Sequence, residues 1–213
     1  MTSKDRLTQF KNRIFSFILF SILFCTFALP VQAYAKENPN VIPALSDFIQ
    51  AVSNGDEHSL RGIYVSGLMA FPVIQQPKGN PGYVSSIDSV ITQFGMAAET
   101  GNVGLLAHNY LAGSMFSGLK PGDAITLVYG NGRTQSFVVE SILQYQALKP
   151  LSPYSNFKDL ETQNLLTAEQ LFNKVYRGEY HLTLQTCIEN EGNLSWGRLF
   201  VIAKPVVNPR PGT

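Results

Sequence analysis

The spacing of apolar positions changes character along the chain. Ala44, Leu45, Phe48, Ile49 and Val52 recur at helical spacing, with Pro43 at a first-turn position and Gly55 past the end. Residues 60–66 and 70–76 read as strands separated by Gly67, and a Pro/Gly-rich loop covers 77–82. Ser85 with Asp88 three residues on predicts a short helix that stops at Gly95. Beyond it the pattern turns toward β. Residues 103–110 form an apolar run, and residues 124–130 and 133–143 flank Asn131-Gly132, a strong short hairpin signal. Residues 180–187 and 196–206 give a last pair of strands. One helix interrupts them. Thr167 and Gln170 make a capping box, residues 168–176 are helical, and Gly178 follows the end. Residues 149–179 are therefore a long crossover carrying a helix, and such crossovers often bind ligands. The sum is a mostly β domain, an antiparallel sheet or closed barrel with two or three short helices packed on it.

Charge divides the chain of 213 residues in two. Lys4, Arg6, Lys11 and Arg13 against Asp5 make residues 1–35 net +3, which leaves −2 for the rest of a chain of formal charge +1. A mildly acidic body without a basic stripe speaks against nucleic acid as a partner. The basic start leads into an apolar run at 14–29, then Pro30 and the small-residue patterns Val31-Gln32-Ala33 and Ala33-Tyr34-Ala35. These are the parts of a secretory signal peptide, with an uncleaved membrane anchor as the alternative. Either reading puts the body outside the cytoplasm, secreted or anchored at the membrane. The expected organisation is a leader at 1–35, a catalytic domain at 36–207 and a flexible tail at 208–213.

Cysteine usage narrows the chemistry. Of two cysteines, Cys25 lies in the leader, so Cys187 stands alone in an exported body, either as an inert buried thiol or as a reactive one. A tight turn at Gly192-Asn193 would set Cys187 opposite Arg198 on the next strand, both pointing to one face. A cation beside a thiol favours the attacking thiolate, and guanidinium N–H groups suit the oxyanion formed after attack. A proton donor to the leaving amine is also needed. His58 sits in a polar stretch and His181 lies inside a strand six residues from Cys187. His108, near the end of an apolar run, is the best acid/base candidate by elimination.

The residues Thr183-Leu184-Gln185-Thr186-Cys187, followed by Arg198 in Trp196-Gly197-Arg198-Leu199-Phe200-Val201, resemble the sortase signature. Leu105-Leu106-Ala107-His108-Asn109 resembles the strand end that carries the family's histidine, and Phe116, Leu119, Gly122 and Asp123 resemble the segment after it. The order His, Cys, Arg is also the family's. The resemblance implies a closed eight-stranded barrel and a cysteine transpeptidase. Its thiol would cleave a sorting-signal peptide, often of Leu-Pro-x-Thr-Gly form, through a thioester, and pass the acyl group to an amine acceptor of the cell wall or a pilin. It implies Cys187 as nucleophile, His108 as general acid/base and Arg198 as oxyanion or substrate stabiliser, with Thr186 helping to line the site. The crossover lies where the family recognises its peptide. Tyr154, Phe157 and Leu160 would then form an apolar groove, or else simply pack the helix on the barrel.

No cofactor is expected. The sequence has no HExxH, CxxC or EF-hand spacing. Calcium, which some sortases bind near this crossover, would have only Asp159, Glu161 and Glu169 as ligands. Among rivals, L,D-transpeptidases carry a His-Gly-Cys type motif absent around Cys187, and papain-like enzymes place cysteine before histidine. A thiol hydrolase of the same fold, and an exported β-barrel that binds a partner without catalysis, both remain open.

Overall fold

The computed structural model describes residues 42–206. The expected leader, Cys25 and the tail at 208–213 lie outside the described residues. The strands are β1 (Leu60–Val65), β2 (Met69–Gln75), β3 (Ile91–Gln93), β4 (Val103–Leu106), β5 (Ala124–Tyr129), β6 (Thr134–Ala147), β7 (Phe157–Asp159), β8 (Leu165–Leu166), β9 (Leu182–Asn190) and β10 (Asn193–Pro205). The helices are α1 (Leu45–Val52), α2 (Gly95–Glu99), α3 (Ala168–Tyr176) and a 3-10 segment, η1 (Ala112–Gly118). Among the described residues no helix is long and apolar enough to cross a membrane.

The sheet runs β10-β9-β4-β3-β2-β1-β5-β6, and β6 pairs again with β10, so eight strands close into a barrel. The short strands β7 and β8 extend β6 beyond the closure. Closure removes the open sheet edges that would otherwise invite pairing with other chains. Two neighbour pairs, β2–β3 and β4–β9, are parallel, and the remaining ladders are antiparallel.

Alternation along the strands sorts side chains to two cores. Ile63, Met69, Leu105, Ile125, Leu127, Phe137, Leu182, Leu184 and Val201 fill the barrel interior. On the outside, Tyr145, Ala147, Phe200 and Ile202 meet Leu171, Val175 and Tyr176 of α3. Burying each large aliphatic side chain here stabilises the fold by about 1.5–3 kcal/mol. The capping box that starts α3 is complete: Gln170 N donates to Thr167 Oγ1 at 3.1 Å, and Thr167 N donates to Gln170 Oε1 at 2.8 Å.

The short helix expected from Ser85 is not formed. Ser85 Oγ accepts from Ile87 N only two residues on, and Asp88 accepts from Ser89 N, so both side chains close local turns. Ser89 lies at φ 58°, which ends any helical path there. Residues 91–93 become strand β3 instead, and the helix begins only at Gly95. The Asn131-Gly132 hairpin is present. Tyr129 N donates to Arg133 O, Gly132 takes φ 82°, and Val128 pairs with Thr134.

Candidate active site

Three strands bring the candidate residues together. Cys187 lies directly opposite Arg198 in the β9–β10 ladder, as the sequence register predicts, but by a different route. The turn is one residue earlier than expected. Glu191 and Gly192 occupy it, at φ 51° and 80°, and Asn190 pairs with Asn193. Two residues at positive φ suit a hairpin whose twist matches its strands. A bulge between Asn193 and Gly197 then shifts the register, so that Ile188 meets Gly197 and Cys187 meets Arg198.

His108 arrives by the parallel pairing. Val103 to Leu106 of β4 stand beside Leu182 to Gln185 of β9 in register. Ala107 N still donates to Gln185 O at 3.2 Å, which prolongs the ladder past the strand end. The paired register ends at Leu106 and Gln185, and the same stagger continued for two residues would set His108 level with Cys187. Leu105, Leu184 and Leu199 point into the barrel, so His108, Cys187 and Arg198 share the outer face by alternation. All three are partly exposed. The row continues to Tyr145 of β6, opposite Arg198, and to Asp159 of β7, opposite Tyr145.

Carbonyl oxygens hold the guanidinium of Arg198. Nη1 donates to Ser195 O at 2.9 Å and to Gly197 O at 2.8 Å, and Nη2 donates to Pro150 O at 3.4 Å. Ser195 lies within the bulge and Gly197 ends it, so the same irregularity that resets the register supplies these acceptors. Of the five guanidinium N–H groups, the one on Nε and one on Nη2 take no protein partner among the described residues. They are free to receive an oxyanion.

Thr186 points the other way. It is buried, opposite Leu199, on the interior face. Among the described residues its hydroxyl has no hydrogen-bond partner, and it lies against Gly113 of η1. Gly113 N donates to His108 O at 3.0 Å, and a Cβ on Gly113 would meet the carbonyl oxygens of Ala107 and His108 at 2.7 Å each. Thr186 and Gly113 therefore seat the backbone of His108 from inside, while Cys187 and Arg198 lie on the outer face.

The crossover residues separate. Tyr154 is 85% exposed and Leu160 is half-buried. Phe157 is buried in the outer cluster with Leu171 and Val175, where it packs the helix on the barrel. Sequence reasoning did not single out Pro150, whose carbonyl ties the crossover to Arg198. A backbone acceptor leaves no mark in residue type.

Beside the row lies a small polar cluster. Asp159 Oδ1 accepts from the amides of Glu161 and Thr162, and its Oδ2 lies 3.4 Å from Lys174 Nζ. Burial pushes the Asp159 carboxyl up, but the two amides and the ammonium outweigh it and hold the carboxyl below its ordinary value. The Lys174 ammonium stands 5.4 Å from the Tyr145 ring centroid. Of the carboxylates considered for calcium, Asp159 is thus already engaged. Among the described residues no three His, Cys, Asp or Glu side chains gather as metal ligands.

The other histidines stand apart. His58 is exposed, with Nε2 3.4 Å from Glu57 Oε1 and its backbone N donating to Asp56 Oδ1 at 3.0 Å. His181 is buried, with Nδ1 2.7 Å from Glu179 O and Nε2 2.9 Å from Val175 O, so it ties the end of α3 to the barrel.

No family model matches the sequence. No curated protein matches it either. Solved structures do. Sortase C-1 from Actinomyces oris aligns with 79% of this chain and 84% of its own, at 13% identity and a TM-score of 0.48. Sortase C from Clostridium perfringens SM101 aligns with 77% and 84%, at 12% identity and a TM-score of 0.43. Sortase A from Listeria monocytogenes aligns with 68% and 86%, at 13% identity and a TM-score of 0.44.

Proposed function

We propose that this chain is a sortase-like cysteine transpeptidase acting outside the cytoplasm on a sorting-signal peptide. The observation that carries the reading is Cys187 directly opposite Arg198 on β9 and β10, with His108 two residues past the end of β4, the strand that pairs in parallel with β9. The Thr-Leu-Gln-Thr-Cys sequence on β9 supports it.

In this reading the Cys187 thiolate attacks the carbonyl carbon of a Thr–Gly-type bond. The carbonyl oxygen becomes an oxyanion beside the free N–H groups of Arg198, which donate to it. As the C–N bond breaks, the leaving amine takes a proton from His108 and a thioester remains on Cys187. An incoming amine then attacks the thioester. Neutral His108 accepts the proton of that amine, the C–S bond breaks, and a new amide and a thiolate result. Paired strands suit this chemistry, because the β9–β10 ladder holds Cys187 and Arg198 opposite one another.

Intact-mass measurement of the protein with Leu-Pro-x-Thr-Gly-like peptides tests the reading. A peptide adduct that requires Cys187 and is released as an amide by an added amine is the expected result. Release only as free acid would make the chain a thiol hydrolase. No adduct, together with a Cys187 that resists alkylation in the folded protein, would favour a binding protein and overturn the proposal.

A further inference from the structure

The proposed reaction needs the imidazole of His108 held at one orientation, because a proton moves between its ring and the substrate nitrogen twice per turnover. Catalytic imidazoles are usually oriented by a hydrogen bond to a third group. Among the described residues neither ring nitrogen of His108 has a hydrogen-bond partner, and no carboxylate forms an ion pair with it. The backbone is well fixed. Leu111 N and Gly113 N both donate to His108 O at 3.0 Å, and Asn109 Nδ2 donates to Leu194 O at 3.0 Å, which ties this turn to β10. These bonds leave rotation about the side-chain torsions open.

What meets the ring is Tyr110. The two rings stack with centroids 5.1 Å apart and planes 19° from parallel. This separation lies in the range of favourable offset stacking. Tyr110 is 58% exposed, so burial in a core does not account for its position. The turn closed on His108 O holds the two rings close enough to stack.

We propose that Tyr110 is a positioning residue for His108, its ring fixing the plane of the imidazole beside Cys187. The inference rests on the transpeptidase reading for its catalytic consequence, while the stack itself is measurable without activity. The ring that meets His108 is Tyr110 on its own turn, while Cys187 lies on β9, the strand paired with β4, with Arg198 one strand further.

The test uses the full chain with labelled histidine rings, as wild type, Tyr110→Phe and Tyr110→Ala. In Tyr110→Ala the His108 ring-proton resonances move downfield as ring-current shielding is lost, and in Tyr110→Phe they stay. In the same samples, the rate of thioester formation at saturating peptide falls by about 10- to 10²-fold in Tyr110→Ala, as for a misplaced catalytic group. KM is unchanged, and Tyr110→Phe restores the rate. Unmoved His108 resonances in Tyr110→Ala would overturn the proposal. So would a raised KM with an intact rate, which would make Tyr110 a peptide contact. If the wild type forms no adduct with any peptide, the transpeptidase reading fails alone, and the resonances still decide the stack.

Discussion

Cys187 and Arg198 stand directly opposite one another across β9 and β10, yet a regular hairpin closed at Glu191-Gly192 would pair Cys187 with Trp196. The bulge between Asn193 and Gly197 makes up the difference. It also frees Ser195 O and Gly197 O to hold the guanidinium. Register and orientation of the arginine are thus set by one irregularity.

Replacing either partner separates their roles. Cys187→Ala is expected to abolish adduct formation while circular dichroism and melting stay near wild type, because a half-buried thiol contributes little packing. Arg198→Ala is expected to slow adduct formation by about 10²-fold or more, the scale for losing an oxyanion donor. Arg198→Lys recovers only part of this, since an ammonium cannot reach three carbonyls and still present a planar fork. Near-normal rates in Arg198→Ala would remove the oxyanion role.

Gly113→Ala tests the seat beneath His108. The added Cβ would collide with Thr186 Oγ1 and approach two backbone carbonyl oxygens at 2.7 Å. Backbone cannot rotate away as a flexible side chain can. The expected cost is about 1–3 kcal/mol, seen as a fall in Tm of several degrees. Because the displaced carbonyls belong to Ala107 and His108, adduct formation falls as well. An unchanged Tm would show that η1 yields freely.

Asp159 carries a pH signature. Its carboxyl is held below the ordinary value of 3.8 in the folded chain. A group of this kind contributes stability that is present above its unfolded pKa and lost as pH falls through the lower folded value. Urea midpoints are therefore expected to decline below about pH 4 in the wild type, and less steeply in Asp159→Asn. Parallel declines in the two proteins would assign the acid sensitivity elsewhere.

His181→Leu separates the buried histidine from the proposed acid/base, His108. It leaves Glu179 O without its side-chain partner, while Val175 O keeps the Thr183 hydroxyl at 2.6 Å. A loss of about 1–3 kcal/mol follows from the orphaned acceptor and the altered packing. The alkylation rate of Cys187 stays near wild type, because His181 binds the far end of α3. A strong loss of thiol reactivity without loss of stability would give His181 a role in the chemistry.

The residues that set local structure were legible one at a time. The capping box of Thr167 and Gln170 and the hairpin at Asn131-Gly132 each follow from short-range rules of spacing and turn chemistry. Ser85 and Asp88 misled, because their side chains bond to amides one or two residues away as readily as they cap a helix.

By itself the sequence determined the candidates Cys187, His108 and Arg198, their separate strands or strand ends, and the strand-rich character of the chain. Local patterns decide these, since turn residues and side-chain alternation act over a few residues. Tertiary structure alone decided that β4 lies parallel to β9, which brings the strand end before His108 alongside the strand of Cys187 across a long stretch of intervening chain. It also decided the bulge, the Pro150 carbonyl on Arg198, the inward turn of Thr186 and the stacking of Tyr110. These depend on barrel closure and on backbone groups, and every residue type carries the same backbone.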